Sequence, residues 1–149
     1  MSRPSTIIEE ARRANDPNRI FQATPYARFL GISIDVVDDA YVCHLAFRDE
    51  HIGNPLLPAL HGGVTGALLE SAAIFHLVWD LNSTSIPTTI NMSIDYLRPG
   101  RPVDTYASGV VTKQGRRVSN VRVEAWQGAR DKPIAAAHGH FLLVSDADA

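Results

Sequence analysis

From Gly62 to Trp79 the sequence reads as one long helix with a single charged side chain in it. Glu70 is the only Asp, Glu, Lys or Arg between His51 and Asp80. A helix of this composition needs another element laid against it. Its small residues (Gly66, Ala67, Ser71, Ala72 and Ala73) let that element come close. Residues three and four apart share a helix face. Glu70 therefore has Gly66, Ala67, Ala73 and Ile74 as neighbours and no polar stripe to join. Burying a carboxylate among such groups is costly without compensation, which makes Glu70 the first candidate for chemistry.

The rest of the chain supplies the covering element. Ile32–Val37 and Tyr41–Phe47 are β-branched or aromatic runs joined by Asp38-Asp39, the pattern of a hairpin. A loop with Gly53-Asn54-Pro55 and Pro58 leads into the helix. Four further strands follow, near Thr88–Leu97, Val103–Lys113, Arg117–Trp126 and Ile134–Val144, separated by Gly- and Pro-containing turns. Strands gathered around one helix predict an α+β fold with an antiparallel sheet. Ahead of them, the first thirty residues read as short helices. Thr6-Ile7-Ile8-Glu9 has the form of a capping box. Asp16-Pro17 and Thr24-Pro25 place a capping side chain before a proline, and Gly31 suits a helix stop. The division expected is a helical extension over 1–30 and one domain over 31–145, ending in a frayed acidic tail from Ser145 to Ala149.

Composition narrows the functional classes. At 149 residues the chain is long enough for one domain with a real core. A net charge of -2 gives no reason to expect nucleic acid or an acidic membrane surface as partner. One cysteine, Cys43, rules out an internal disulfide framework and reads as a buried, inert thiol. Met1-Ser2-Arg3-Pro4 lacks the apolar run of a signal peptide, so a cytoplasmic protein is expected. Asn54, Pro55, Pro58 and several glycines break the uncharged stretch before Glu70, which argues against a membrane span.

The chemistry gathers at the helix start. His61-Gly62-Gly63 lies where loop turns into helix, and two glycines leave backbone N–H groups uncovered at the positive end of the helix dipole. Such a terminus can hold a carbonyl oxygen that becomes negative during reaction, or the glycines can simply permit the turn. Glu70 follows nine residues after His61. At the rise of a helix it lies roughly 12 Å from that terminus, so one helix cannot bring both onto one carbonyl. A second copy running antiparallel could.

These residues resemble the hotdog-fold acyl-CoA thioesterases of the phenylacetate-pathway (PaaI) type. The resemblance rests on Leu60-His61-Gly62-Gly63-Val64 with Glu70, on Thr89 through Pro99 with its Tyr-Leu-Arg-Pro ending, and on Gly115-Arg116-Arg117. It covers Gly31 to Val144 and implies an antiparallel sheet wrapped around one central helix. It implies acyl-CoA hydrolysis with no cofactor beyond the substrate's own CoA, in a homodimer or dimer of dimers with shared sites. Glu70 would be nucleophile or general base, its pKa raised by desolvation. The Gly62 N–H of a partner subunit would polarise the thioester carbonyl, with Gly63 beside it. His61 and Asn54 would shape the loop and orient the thioester, the Thr89 hydroxyl would position water, and Arg116 and Arg117 would meet CoA phosphates. Asn54 stands apart from His61 by a longer, more proline-rich loop than in some members.

Two alternatives stay open. Hotdog dehydratases pair a His with a Glu about fourteen residues on; here His51 and Glu70 stand nineteen apart. A non-catalytic acyl-CoA sensor would be a binding module. Among the remaining polar residues, His51 reads as a surface residue and His76 as a structural one near the helix end. His138 and His140 share a strand face without a nearby acid or cysteine, so no zinc site is expected. Trp126, alternating with Arg122 and Glu124, reads as an oligomer contact on the outer sheet face.

Overall fold

The computed structural model describes residues 3–144; the expected tail from Ser145 to Ala149 lies outside them. Three short helices come first: α1 (Pro4–Arg13), α2 (Asn18–Ala23) and α3 (Pro25–Leu30). The expected capping box at Thr6 is not used. α1 already starts at Pro4, with Arg3 as an N-cap that makes no side-chain bond. A proline at the first helical position needs no N–H partner, so the helix can begin without a capping side chain. Asp16 does cap α2, accepting from the Asn18 N–H at 3.1 Å. Gly31 closes α3 in the left-handed region, φ 81°.

β1 (Ile32–Val37) and β2 (Ala40–Leu45) form the first hairpin. Asp38 and Asp39 both turn with positive φ, 51° and 61°. A two-residue turn of that hand matches the twist of the flanking strands, and aspartate tolerates it better than most residues. The loop before the long helix holds a short hairpin absent from the sequence reading, β3 (Ile52–Asn54) with β4 (Ala59–Leu60). Then come α4 (Gly62–Asp80), β5 (Thr88–Tyr96), β6 (Thr105–Gln114), β7 (Val118–Trp126) and β8 (Ala135–Leu142). The main sheet has six antiparallel strands in the order β1-β2-β6-β7-β8-β5, so β5 is an edge.

The sheet wraps α4, which packs chiefly on β6 and β7. Leu68, Leu69, Ala72, Ala73, Phe75 and Leu77 are buried against Cys43, Leu45, Val121, Val123, Ala137 and Phe141. By length and composition α4 would suit a membrane span; here the sheet takes up its apolar face. This is the α+β architecture with an antiparallel sheet that the strand and helix pattern predicts, in the hotdog arrangement that the family resemblance implies. Cys43 is fully buried, and burial pushes its thiol pKa up, as an inert core thiol requires.

One expectation about the outer face fails. Trp126 is buried rather than presented to a neighbour. Tyr106 stacks on it at 6.2 Å and the Arg130 guanidinium lies 4.6 Å over its ring, so the chain covers this indole itself.

Candidate active site

The loop ahead of α4 is fastened from three directions. The Leu60 N–H donates to the Gly100 carbonyl at 2.9 Å, and the His61 N–H donates to the His51 carbonyl at 2.8 Å. Gly53 on β3 lies so close that an added Cβ would stand 2.7 Å from the His61 Cα. Only a glycine lets β3 approach the helix start this closely. His51 corrects the expectation of a surface residue: it is 3 % exposed. Its Nδ1 accepts from the Arg48 N–H at 3.2 Å and its Nε2 donates to the Leu30 carbonyl at 2.8 Å. Both ring nitrogens are occupied, so His51 ties α3 to the site and has no lone pair left for base catalysis.

This scaffold sets the first turn of α4. His61 is the N-cap, and its Nδ1 accepts from the Gly63 N–H at 2.8 Å. A Cβ on Gly63 would stand 2.9 Å from that nitrogen, so the imidazole cap depends on glycine here. Tyr96 on β5 donates its hydroxyl to the Gly62 carbonyl at 2.8 Å. The Val64 N–H is bonded to the His61 carbonyl at 3.0 Å. What remains is the Gly62 N–H, which has no hydrogen-bond partner among the described residues. The carbonyl of its own peptide unit, that of His61, accepts from Val64, and the next peptide unit is held by Tyr96 and the His61 ring, so this donor is left for a ligand.

Glu70 lies two turns further along α4. It is exposed, contrary to the expected buried carboxylate. The sheet covers the opposite side of the helix, and Glu70 shares its uncovered stripe with Gly63, Gly66, Ala67 and Ile74, which are exposed or half-buried. Burial of this carboxylate is not supplied by its own chain. Thr89 is half-buried on β5 and pairs with Phe141, whose ring is in the core. Residues directly opposite one another share a sheet face, so Thr89 stands on the helix side.

The other expected residues are more scattered. Asn54 is exposed at the tip of the β3–β4 hairpin, where its Oδ1 accepts from the Leu56 N–H at 3.0 Å. Arg116 and Arg117 are exposed on the β6–β7 turn. Register puts that turn at the far end of the sheet from Gly62: Thr88, Leu142 and Val118 line up there, while Tyr96, Ala135 and Ala125 line up at the Gly62 end. Along β5 the two ends are roughly 25 Å apart. Within one chain, then, the structure gathers His61, Gly62 and Gly63. Glu70 and Thr89 stand away from them, and the two arginines at the other end. Among the described residues no group of three or more His, Cys, Asp or Glu could hold a metal ion. His140 instead bonds Asn91 at 2.8 Å.

The sequence missed Gly53 and Tyr96. Gly53 looked like part of a turn. Tyr96 stood in the Tyr-Leu-Arg-Pro segment without an assigned role.

The sequence pattern of the thioesterase superfamily matches residues 57–134, which span the hairpin end, α4 and the strands through β7. This chain belongs to the thioesterase superfamily. Among the relatives of this superfamily member is the medium/long-chain acyl-CoA thioesterase YigI of Salmonella typhimurium. It is 30% identical over 115 residues, covering 67% of this chain and 74% of the relative. A protein of Chromobacterium violaceum with a solved crystal structure is 38% identical and superposes with a TM-score of 0.75, covering 93% of this chain and 97% of its own. The BH2602 protein of Bacillus halodurans, solved with CoA, is 25% identical with a TM-score of 0.72, covering 95% and 92%. The resemblance drawn from the His-Gly-Gly start and Glu70 is therefore correct for family, fold and thioester hydrolysis in general.

Proposed function

We propose that this thioesterase hydrolyses acyl-CoA, with Glu70 of one protomer acting at the α4 N-terminus of another. The observation that carries the reading is the Gly62 N–H: rigidly placed at the positive end of a long helix, and without a partner among the described residues in a turn where its neighbours are all bonded. A donor so held stabilises negative charge on a carbonyl oxygen as it develops, without reorganisation. Glu70 would either deprotonate a water held by the Thr89 hydroxyl or attack the carbonyl itself. Either way water adds across the bond: the carbonyl carbon gains oxygen, the C–S bond breaks, and CoA leaves as its thiol. His61 and Gly63 support the oxyanion donor, and Asn54 shapes the loop that orients the thioester. No cofactor is required beyond the substrate's own CoA, and we take the protein to act in the cytoplasm.

Two features support a homodimer, alone or as half of a dimer of dimers. β5 is an edge strand with exposed Ile90 and Tyr96, an arrangement that invites pairing with a second chain. The uncovered stripe of α4 around Glu70 is built of small residues beside it. An antiparallel copy laid on this edge would bring each Glu70 toward the Gly62 of the partner subunit. It would also bring the far end of the sheet, with Arg116 and Arg117, toward the same site. The dehydratase alternative loses its base, because both nitrogens of His51 are already bonded.

Mixed dimers test the shared site. Glu70→Gln removes the carboxylate. Gly62→Pro removes the N–H at a position where proline suits a helix start and where His61 is already extended, φ -63° and ψ 132°. Each variant alone is expected to lose about 100-fold or more in kcat, the range for a principal base or an oxyanion donor. Mixed together, they regain activity, because one of the two sites in the heterodimer keeps both groups. No recovery on mixing would show that each chain builds its site alone. Unchanged rates in Glu70→Gln would refute the mechanism.

A further inference from the structure

Two depressions flank the start of α4, and they differ in chemistry. On the β5 side, one is bordered by Gly62, Tyr96 and Arg98, and it continues past Arg98 to a second hollow with Arg101 and Lys132. None of these three cations forms an ion pair among the described residues. On the other side a pocket of about 450 Å³ is lined by Tyr26, Phe29, Leu30 and Val64 together with His61 and Gly63. The rings of Tyr26 and Phe29 stack at 6.1 Å, yet they are 60% and 72% exposed. Stacked rings left open beside a reaction centre mark a surface that something apolar covers.

We propose that this pocket is the acyl subsite and that Tyr26 and Phe29 set the acyl-group preference, toward medium-length alkyl and aryl groups over acetyl. The inference rests on the acyl-CoA reading above and deepens it. A CoA thioester is chemically polar from end to end: phosphates on the sulfur side, an apolar group on the acyl side. With its carbonyl at the Gly62 N–H, charge complementarity directs the phosphates to Arg98, Arg101 and Lys132. The aromatic pocket is then left to the acyl group. Of the polar residues that also line it, Arg48 donates to the Phe29 carbonyl at 2.8 Å, both nitrogens of His51 are bonded, and Glu50 adds a carboxylate that repels phosphate.

The wall is also rigidly joined to the site. Tyr26 and Phe29 are three residues apart on α3 and so share a face. The bond from His51 to the Leu30 carbonyl fixes the end of that helix to the loop that delivers His61. Both residues precede the segment, 57–134, that matches the superfamily pattern. The aromatic part of the wall therefore belongs to this chain's N-terminal helices rather than to the part that defines the superfamily.

Acyl selectivity of the intact protein tests the assignment. Steady-state constants are measured on acetyl-CoA, octanoyl-CoA and phenylacetyl-CoA for the parent, Tyr26→Ala, Phe29→Ala and Phe29→Leu. These side chains are largely exposed, so the variants fold. Both alanine variants are expected to lose about tenfold or more in kcat/KM on octanoyl- and phenylacetyl-CoA while staying within about twofold on acetyl-CoA, the discrimination an apolar pocket supplies. Phe29→Leu should keep octanoyl-CoA turnover and lose part of the phenylacetyl-CoA turnover. An equal change on all three substrates, or none, overturns the assignment. So does weaker inhibition by desulfo-CoA, which would place the nucleotide on the rings, or a changed mass by light scattering, which would place them in a subunit contact. A parent protein that hydrolyses none of the three would refute the acyl-CoA reading itself.

Discussion

The two ends of α4 are finished in opposite ways. At its C-terminus, Arg12 reaches over from α1 and donates to the carbonyls of Val78, Trp79 and Ser83. Its guanidinium lies 5.2 Å from the centre of the Trp79 ring. One turn back, His76 is buried with Asp80 at 2.7 Å on one nitrogen and the Ser108 hydroxyl at 3.2 Å on the other. The negative end of the helix is thus saturated by a cation and tied to the sheet. At the N-terminus, His61 satisfies Gly63, Tyr96 holds the Gly62 carbonyl, and one donor has no partner among the described residues. A fold that closes one end so fully and leaves a rigid donor at the other separates stability from chemistry along a single helix.

That separation can be broken experimentally. The largest effect belongs to the open end: Gly62→Pro should cost about 100- to 1000-fold in kcat with little change in the urea midpoint. A large loss of stability in this variant would mean that the open end is structural after all. Next comes Arg12→Ala, which should lower unfolding free energy by about 2–3 kcal/mol, since hydrogen bonds to a charged group are the stronger kind, and leave kcat unchanged. Arg12→Lys should recover only part, because an ammonium cannot spread over three carbonyls as a planar fork does. A fall in kcat in either variant would show that the closed end communicates with the site. His76→Ala should cost about 1–3 kcal/mol, through a lost buried contact that also strands its partners.

The smallest effect returns to the Gly62 end of the sheet. Asp104 accepts from the Phe47 N–H and pairs with His44, each at 2.8 Å. These contacts, the backbone bond foremost, hold its carboxyl below the ordinary carboxylate pKa. Its contribution is therefore complete above the ordinary value and disappears as pH falls through the lowered one. Asp104→Asn should flatten the acid limb of the stability profile by lowering stability slightly at neutral pH, and should match the parent below the lowered pKa. An unaltered acid limb, followed by thermal melts from neutral to acid, would remove Asp104 from the account.

Much of this was legible in the chain. The strand runs and their turns are in the sequence because β-branched alternation and Gly or Pro punctuation are local signals. The long helix is legible because its apolar run is bounded by His61-Gly62-Gly63 and Asp80. What escaped depends on distant partners. His51 looked like a surface residue because the carbonyl that buries it belongs to Leu30, twenty-one residues earlier. Trp126 looked available because its cover comes from Tyr106 on another strand and Arg130 beyond the turn. β3 and β4 were read as loop because Gly53, Pro55 and Pro58 carry turn chemistry, while the pairing occupies only a few residues around them. Glu70 misled in a more instructive way. Small neighbours at helical spacing were taken to bury it, but on one chain they leave it open, as a surface shaped for close approach would.

Arg12 also bears on the order in which the molecule assembles. Its bonds to α4 close loops of 66 to 71 residues, whereas the β1–β2 hairpin closes over a two-residue turn. Long closures must overcome chain entropy before contact rewards them. We therefore expect α1 to dock after the sheet has formed around α4, as the final clasp on a largely finished domain. A clasp that forms after the folding transition state leaves the rate of folding alone and governs the rate of unfolding. Arg12 would then act as a timer on the native state: its loss would shorten the lifetime of the folded protein without slowing its birth.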